Sequence, residues 1–169
     1  MIDWFKALFG KKPAPEPPSF GGAGATTTFD QARLPRGLRN NNGGNIRGGP
    51  VPWKGEVGRD PVDFVIFSSA HYGLRALAKL LITYRLKYGL DCVEEIIGRW
   101  APTSENDTRA YVNAVAREVG VSPTETINVV TDPAMLGRLV AAIVRHENGQ
   151  QPYSTEQINA AVADALEVA

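Results

Sequence analysis

The stretch "DPAMLGRLVAAIVRHENG", residues 132–149, carries the clearest helical pattern of the sequence. Asp132 and Pro133 are typical of a helix start, because aspartate caps the first amide groups and proline suits the first helical position. Apolar residues then recur at steps of three and four, which places them on one face of a helix. They are Leu136, Leu139, Val140, Ile143 and Val144. The Asn-Gly pair at residues 148–149 breaks the pattern, so the stretch predicts a helix that packs in the core and ends at Glu147.

Four other segments follow the same helical period. We predict that they begin at Ala70, at Val93, between residues 104 and 107, and at Ser154. Pro102 closes the second helix, because the residue before a proline is disfavoured in the helical conformation. Gly120 stops the third helix, and Ser154 followed by Gln157 has the spacing of a capping box. There is no repeat and no alternation of strands with helices, which predicts a mainly α class.

Residues 36–55, "RGLRNNNGGNIRGGPVPWKG", differ from the rest of the folded part because they are dense in asparagine and glycine. Both residue types favour turns and positive φ angles over a long helix. The stretch "DFVIFSS", residues 63–69, alternates enough to be a short strand or an extended lead-in. The predicted fold is therefore a helical domain with a short Asn/Gly-rich irregular or β segment.

Composition divides the chain into three parts. Residues 1–12, "MIDWFKALFGKK", place apolar side chains along one helical stripe beside lysines, which fits an amphipathic helix that docks on a partner protein or a bilayer surface. A terminal helix that packs on its own domain fits the same residues equally well. Residues 13–33 are rich in proline, glycine and threonine, as is typical of a linker. Residues 34–169 form the folded domain.

Charge and cysteine content exclude several classes of protein. The 18 basic and 18 acidic residues balance, so no global field recruits nucleic acid or an anionic membrane. Cys92 is the only cysteine, which rules out an intramolecular disulfide. Two histidines and one cysteine, far apart, do not make a zinc site, and we expect neither a metal nor a cofactor. No apolar run approaches the roughly 20 residues of a membrane span.

Glu147 combines two features that bear on chemistry. It lies at the C-terminal turn of a buried helix, where the negative end of the helix dipole disfavours ionisation and partial burial acts in the same direction. A glutamate that keeps its proton near neutral pH is what a general acid for glycosidic cleavage requires. The same residues also fit a solvated glutamate at a frayed helix end, and by themselves they favour this second interpretation.

Two stretches resemble segments of lytic transglycosylases and related lysozyme-like enzymes. "AAIVRHENG", residues 141–149, is similar to the helix that ends in the catalytic glutamate, a small polar residue and glycine. "RWAPTSENDTRAYVNAV", residues 99–115, resembles the late segment in which a tyrosine-containing helix lines the saccharide cleft. In those enzymes the glutamate helix comes first. Here it comes last, so the order of the motifs looks circularly permuted.

Residues 36–153 also resemble phage virion proteins that open with an Arg-Asn-Asn-Asn-Pro-Gly-Asn-Ile turn. Those proteins continue with a "WAP-x-x-EN-x-T-x-x-Y" block and finish with "HENG-x-QPY", and all three blocks occur here in register. Such proteins are taken to be virion-associated enzymes that degrade peptidoglycan. This chain departs at Gly43, where the family usually has proline. Glycine can adopt the same turn, though less rigidly.

The resemblance implies a lysozyme-like helical domain over residues 34–169, with Glu147 as acid and base. We expect Glu147 to face the Asn-rich turn across a cleft. The implied substrate-binding residues are Asn41, Asn42, Asn45, Trp53, Glu105, Tyr111, Gln151 and Tyr153. Asparagine amides would bind the N-acetyl and hydroxyl groups of the glycan, and the aromatic rings would stack on sugars. Trp100 is a further stacking candidate that also fits the core. Glu105 is either a second carboxylate or a helix charge, and we favour the helix role.

The implied function is cleavage of the glycan strands of bacterial peptidoglycan by a virion enzyme that acts on the host wall, in the periplasm, during infection. A lytic transglycosylase needs one protein carboxylate, whereas an ordinary muramidase wants a second at a suitable distance. The sequence leaves that choice open. Two other classes stay possible: a peptidoglycan endopeptidase, and a non-catalytic virion structural or wall-binding protein. Residues 1–12 would attach the enzyme to virion structural proteins or to a membrane.

Overall fold

The computed structural model describes residues 33–101 and 105–167, and within the second range the side chains of residues 105–107 are outside the description. The predicted docking helix, residues 1–12, lies outside the described residues. So does the predicted linker, residues 13–33, apart from its last residue. The remainder of the folded domain can be compared with the prediction element by element.

Six helices and one two-stranded sheet make up the described part of the chain. In order they are α1 (Arg36–Arg39), β1 (Glu56–Arg59), β2 (Val65–Phe67), α2 (Ala70–Tyr88), α3 (Val93–Trp100), α4 (Glu105–Val119), α5 (Pro133–Asn148) and α6 (Thr155–Leu166). The predicted mainly α class is confirmed. None of the helices in these ranges is both long and apolar enough to cross a bilayer.

The predicted helix ends are formed by the residues that signalled them. The Asp132 side chain accepts a hydrogen bond from the Met135 amide at 2.9 Å, with Pro133 as the first helical residue of α5. Ser154 and Gln157 make the reciprocal capping box of α6. Gly149, with a φ of 70°, is the left-handed residue that ends α5. These local signals fix where α5 and α6 begin and where α5 ends.

Helix α5 is the centre of the fold. It contacts α1, α2, α4 and α6, while α2 packs along α6. The whole predicted apolar stripe of α5 is inaccessible to solvent, and it meets the apolar faces of the neighbouring helices. Burial of these side chains is the main stabilising term of the domain. In the last turn of α5, Glu147 and Asn148 are buried, whereas Arg145 and His146 are exposed.

The sheet is a short antiparallel pair, with Glu56 opposite Phe67 and Arg59 opposite Val65. The strand predicted within residues 63–69 is confirmed as β2, whose Val65 and Phe67 side chains are buried. Strand β1 was not predicted. Its apolar side chain, Val57, is exposed, so its sequence carries no apolar alternation, and its backbone pairing with β2 defines it.

Asp164 on α6 contacts three basic groups from other parts of the chain. Its carboxylate oxygens lie 3.0 Å from Arg75 Nε, 3.1 Å from His71 Nε2 and 3.2 Å from Lys54 Nζ. The hydrogen bond with His71, followed in size by the hydrogen bond with Arg75, holds the pKa of Asp164 well below its ordinary value. The cluster ties α6 to α2 and to the loop before β1.

Asp164→Asn should lower the stability of the domain near neutral pH by on the order of 1 kcal/mol, because the cluster is partly exposed. A lowered pKa means that the folded state takes up this proton less readily than the unfolded chain, so the stabilisation is present above the ordinary pKa of about 4 and is lost as the pH falls below it. Thermal unfolding of wild type and variant should therefore differ at pH ~7 and converge in acid. Glu167→Gln, an exposed change after the same helix, is the control; an equal effect of both would contradict the assignment.

Candidate functional site

The Glu147 side chain is buried, with 9% of the residue exposed, and three donors converge on it. Its Oε2 accepts from Asn45 Nδ2 at 2.9 Å. Its Oε1 accepts from Trp100 Nε1 at 3.2 Å and from the Tyr111 hydroxyl at 3.0 Å. Donors of this kind are what a buried carboxyl group needs. The interpretation of Glu147 as a solvated residue at a frayed end is wrong. Glu147 meets the Asn-rich turn, as expected, but through a direct hydrogen bond with Asn45 and not across a cleft.

Tyr111 enters this site from α4 and is itself buried. Burial, and next the charge of Glu147, raise the pKa of the phenol well above its usual value, so Tyr111 keeps its proton and remains a donor. The ring of His146 stacks on the Tyr111 ring with centroids 3.5 Å apart and planes inclined by 12°. This corrects the predicted role of Tyr111, because a ring that is 5% exposed and already stacked does not offer a sugar platform.

Trp100 lies at the end of α3 and takes the core position considered for it; the sugar-stacking role is corrected, because the residue is only 7% exposed. Its ring is in the core, where it makes an edge contact with the ring of Tyr84 at 6.5 Å between centroids. Its indole N–H is the donor that reaches Glu147. An indole N–H can only donate, so Trp100 fixes Glu147 Oε1 as an acceptor position.

Two of the three predicted asparagine ligands build the turn instead of facing outwards. Asn42 is fully buried; its Nδ2 donates to the carbonyls of Ile46 and Val65, both at 2.8 Å, and its Oδ1 accepts from the Ile46 amide. Asn41 has a φ of 52°, and its Nδ2 donates to the Phe67 carbonyl at 3.0 Å. Their predicted role in glycan binding is corrected, because these amides are used by the backbone of the turn and of β2.

Asn45 is the member of the turn that reaches the site. It adopts a left-handed φ of 50°, which asparagine tolerates better than most residues. The turn is fastened to α5 by Asn148, whose Nδ2 donates to the Gly43 carbonyl at 2.8 Å and to the Val144 carbonyl at 2.9 Å. The Asn-rich sequence thus makes a rigid loop that carries one amide onto Glu147.

Two glycines allow this loop to approach the helices. A Cβ on Gly73 of α2 would collide with the Asn41 carbonyl oxygen. A Cβ on Gly37 of α1 would collide with the side-chain oxygens of Asn148 and Asn45. Both positions therefore require glycine because a neighbouring backbone or amide occupies the space.

The remaining predicted ligands with described side chains are Tyr153, Gln151 and Trp53. Tyr153 is half-buried beside Gly43, and burial raises its pKa. Gln151 is used locally, since its Nε2 donates to the Ala141 carbonyl and its Oε1 accepts from the Tyr153 amide. Its predicted role as a ligand is corrected to that of a turn residue. Trp53 is half-buried against the core.

Carboxylates other than Glu147 give no second catalytic group among the described side chains of this site. Glu56, the first residue of β1, accepts from the Trp53 amide at 2.9 Å and pairs with Arg59 at 3.0 Å, so its carboxylate is used locally. The Glu105 side chain lies outside the described residues, although the predicted helix does begin there. Its role stays a prediction.

A depression of about 380 Å³ lies between α4 and α5, and Glu147 is not among the residues that line it. It is lined by Ala114, Val115, Arg117, Glu118, Ala142, Arg145 and His146. Arg145 and Glu118 form an ion pair across it at 2.8 Å. This depression is therefore not the predicted cleft, because Glu147 does not line it. His146 lines the depression and stacks on Tyr111, which donates to Glu147.

In the part of the chain that the structure describes, the fold is mainly helical, and a buried carboxyl group is held by donors from three segments. The chain is 43% identical over 128 residues to protein P5 of Pseudoalteromonas phage PM2, and the alignment covers 73% of this chain and 77% of that protein. The chain belongs to the family of this phage protein. No family model matches the chain. The predicted relationship to a bacteriophage protein is confirmed, and the name of that relative states no activity.

Proposed function

We propose that the chain cleaves the glycan strands of bacterial peptidoglycan, with Glu147 as the acid and base. One observation carries the proposal: a buried carboxyl group at the end of the central helix is oriented by three donors from three separate segments, Asn45, Trp100 and Tyr111. Orientation of this kind is typical of groups that transfer protons. The lysozyme-like architecture, with permuted motif order, is part of the same proposal.

The hydrogen bonds suggest which oxygen transfers the proton. Oε1 accepts from both Trp100 and Tyr111, which occupies its two lone pairs. The proton would therefore be carried on Oε2, beside the amide of Asn45. It would pass to the glycosidic oxygen as the bond from that oxygen to the anomeric carbon breaks.

The second half of the reaction decides the product. In a transglycosylase, the carboxylate takes the proton from a hydroxyl of the same sugar while that oxygen bonds to the anomeric carbon, which gives an anhydro-sugar and restores the acid. In a muramidase, water supplies the oxygen and the product has a reducing end. We favour the transglycosylase outcome, because Glu147 is the single carboxyl group of the described site.

The relationship to a phage protein supports a role during infection. The enzyme would be carried in the virion and act on the host wall in the periplasm. Residues 1–12 would attach it to virion structural proteins or to a membrane.

The low exposure of Glu147 favours a second candidate. In a non-catalytic virion or wall-binding protein, the same three donors would serve only to fix the turn against α5. Such a protein would bind the wall or the particle without changing the polymer.

Product analysis of purified sacculi by mass spectrometry tests both candidates. Incubation with the full chain should release anhydro-sugars. Reducing ends would support a muramidase, cut peptides an endopeptidase, and intact strands the non-catalytic candidate. Buffer-treated sacculi and the glutamine variant of Glu147 are the controls.

A further inference from the structure

His146 contacts this site through the ring of Tyr111, and the proposed reaction does not use it. It lies on the exposed surface of the last turn of α5 and lines the depression between α4 and α5. Its imidazole stacks on the buried ring of Tyr111, 3.5 Å between centroids and 12° from parallel. Tyr111 in turn donates to Glu147 at 3.0 Å. The three residues therefore form a continuous row from the surface to the carboxyl group.

This row has a geometric consequence for the donor. The Tyr111 hydroxyl is at the far end of its ring, so a small tilt of the ring displaces the oxygen by a larger distance. Hydrogen bonds weaken steeply when their angle is lost. A flat ring packed on Tyr111 opposes that tilt. Glu147 Oε1 also accepts from Trp100, so any displacement of Tyr111 alters the shared acceptor.

We propose that His146 is a positioning residue: its ring fixes Tyr111, and Tyr111 fixes Glu147. The effect on catalysis rests on the function proposed above, whereas the geometric part can be measured without any activity. The competing explanation is that His146 acts as a basic residue at a helix C-terminus, through its interaction with the dipole. That role depends on charge and polarity, and the positioning role depends on a flat ring.

Three substitutions separate these explanations. His146→Phe keeps a flat ring without the imidazole nitrogens, His146→Gln keeps polarity without a ring, and His146→Ala keeps neither. The phenylalanine variant should retain the kcat of wild type. The glutamine and alanine variants should lose roughly tenfold to a hundredfold in kcat, the scale of a small misplacement of a reacting group, with KM unchanged. In a Tyr111→Phe background, His146→Ala should have no further effect on kcat.

A spectroscopic measurement makes the test independent of turnover. The chain has three tryptophans, so a proton–nitrogen correlation spectrum contains three indole N–H signals, and Trp100 can be assigned by substitution of the other two. Its N–H donates to the oxygen that Tyr111 also reaches. His146→Ala should move this signal towards its position in Tyr111→Phe, and His146→Phe should leave it in place. Arg145→Ala, on the same turn, should not move it.

The outcomes are distinct. A Trp100 signal that stays fixed in His146→Ala, or a glutamine variant that matches wild type where phenylalanine does not, overturns the positioning role. Wild-type protein without glycan cleavage overturns the proposed function, and the indole measurement then still decides the geometric inference. The positioning role is also contradicted if His146→Ala lowers kcat by the same factor in the Tyr111→Phe background as in wild type.

Discussion

Glu147→Gln should reduce the rate of glycan cleavage by about 10²–10⁴-fold, the contribution typical of general acid–base catalysis. Glutamine keeps the shape of the side chain and removes the proton that the proposed reaction transfers. The rate is measured on purified sacculi with wild type and variant at equal concentration. Binding to sacculi should persist, because the groups around the carboxyl are unchanged.

The folded state should tolerate this substitution. The glutamine oxygen can keep the hydrogen bonds from Trp100 and Tyr111, and its NH₂ group then faces Asn45. Rotation of the Asn45 amide would turn its oxygen to that NH₂ group and its own NH₂ group towards Asn148. The Asn148 Oδ1 is buried without a hydrogen-bond partner among the described residues, and it lies with Asn45 Oδ1 beside Gly37. The variant should therefore unfold at or slightly above the wild-type temperature.

The control for this prediction is Glu118→Gln, since Glu118 is a nearby carboxylate that pairs with Arg145 at the surface. It should cleave the wall at the wild-type rate. A Glu147→Gln protein that clears sacculi as fast as wild type would falsify the catalytic assignment. A Glu147→Gln protein that fails to fold would instead favour the purely structural role of the site.

Asn42→Ala should destabilise the domain by on the order of 3 kcal/mol, because the Ile46 amide loses its partner in a place without solvent access. Two further backbone carbonyls lose a donor in the same change. A loss of this size lowers Tm by roughly 10 °C in a domain of this length. Thermal unfolding followed by circular dichroism measures it. The predicted role of Asn42 as a glycan ligand is replaced by this structural role, because its side chain is inaccessible.

Asn113→Ala is the matched control for this substitution. Asn113 is exposed on α4, and its replacement should leave the unfolding temperature unchanged. An Asn42→Ala protein with the wild-type Tm and no activity would restore the initial interpretation of a substrate ligand.

Helices α2 to α6 could be predicted because their signals are local, whereas the four-residue α1 lies in the segment predicted to be irregular or β. Asp132 and Ser154 cap amides within three residues of themselves, and the left-handed Gly149 ends its own helix. Strand β1 could not be predicted, because its pairing partner lies in β2 and its own residues carry no apolar alternation. A resemblance of short motifs pointed to Glu147 as the important carboxyl group, but the residues alone favoured a solvated helix end.

The sequence by itself determined the helical class, the ends of α5 and the position of Glu147 at its last turn. These follow from side chains that act on backbone groups a few residues away. Only the tertiary structure decided what surrounds the carboxyl group. Asn45 is 102 residues from Glu147 along the chain, Trp100 is 47 and Tyr111 is 36. Packing of α5 against its neighbours brings these donors within hydrogen-bonding distance. A periodic pattern predicts which face of a helix is buried, but it does not predict which distant donors that face will contact.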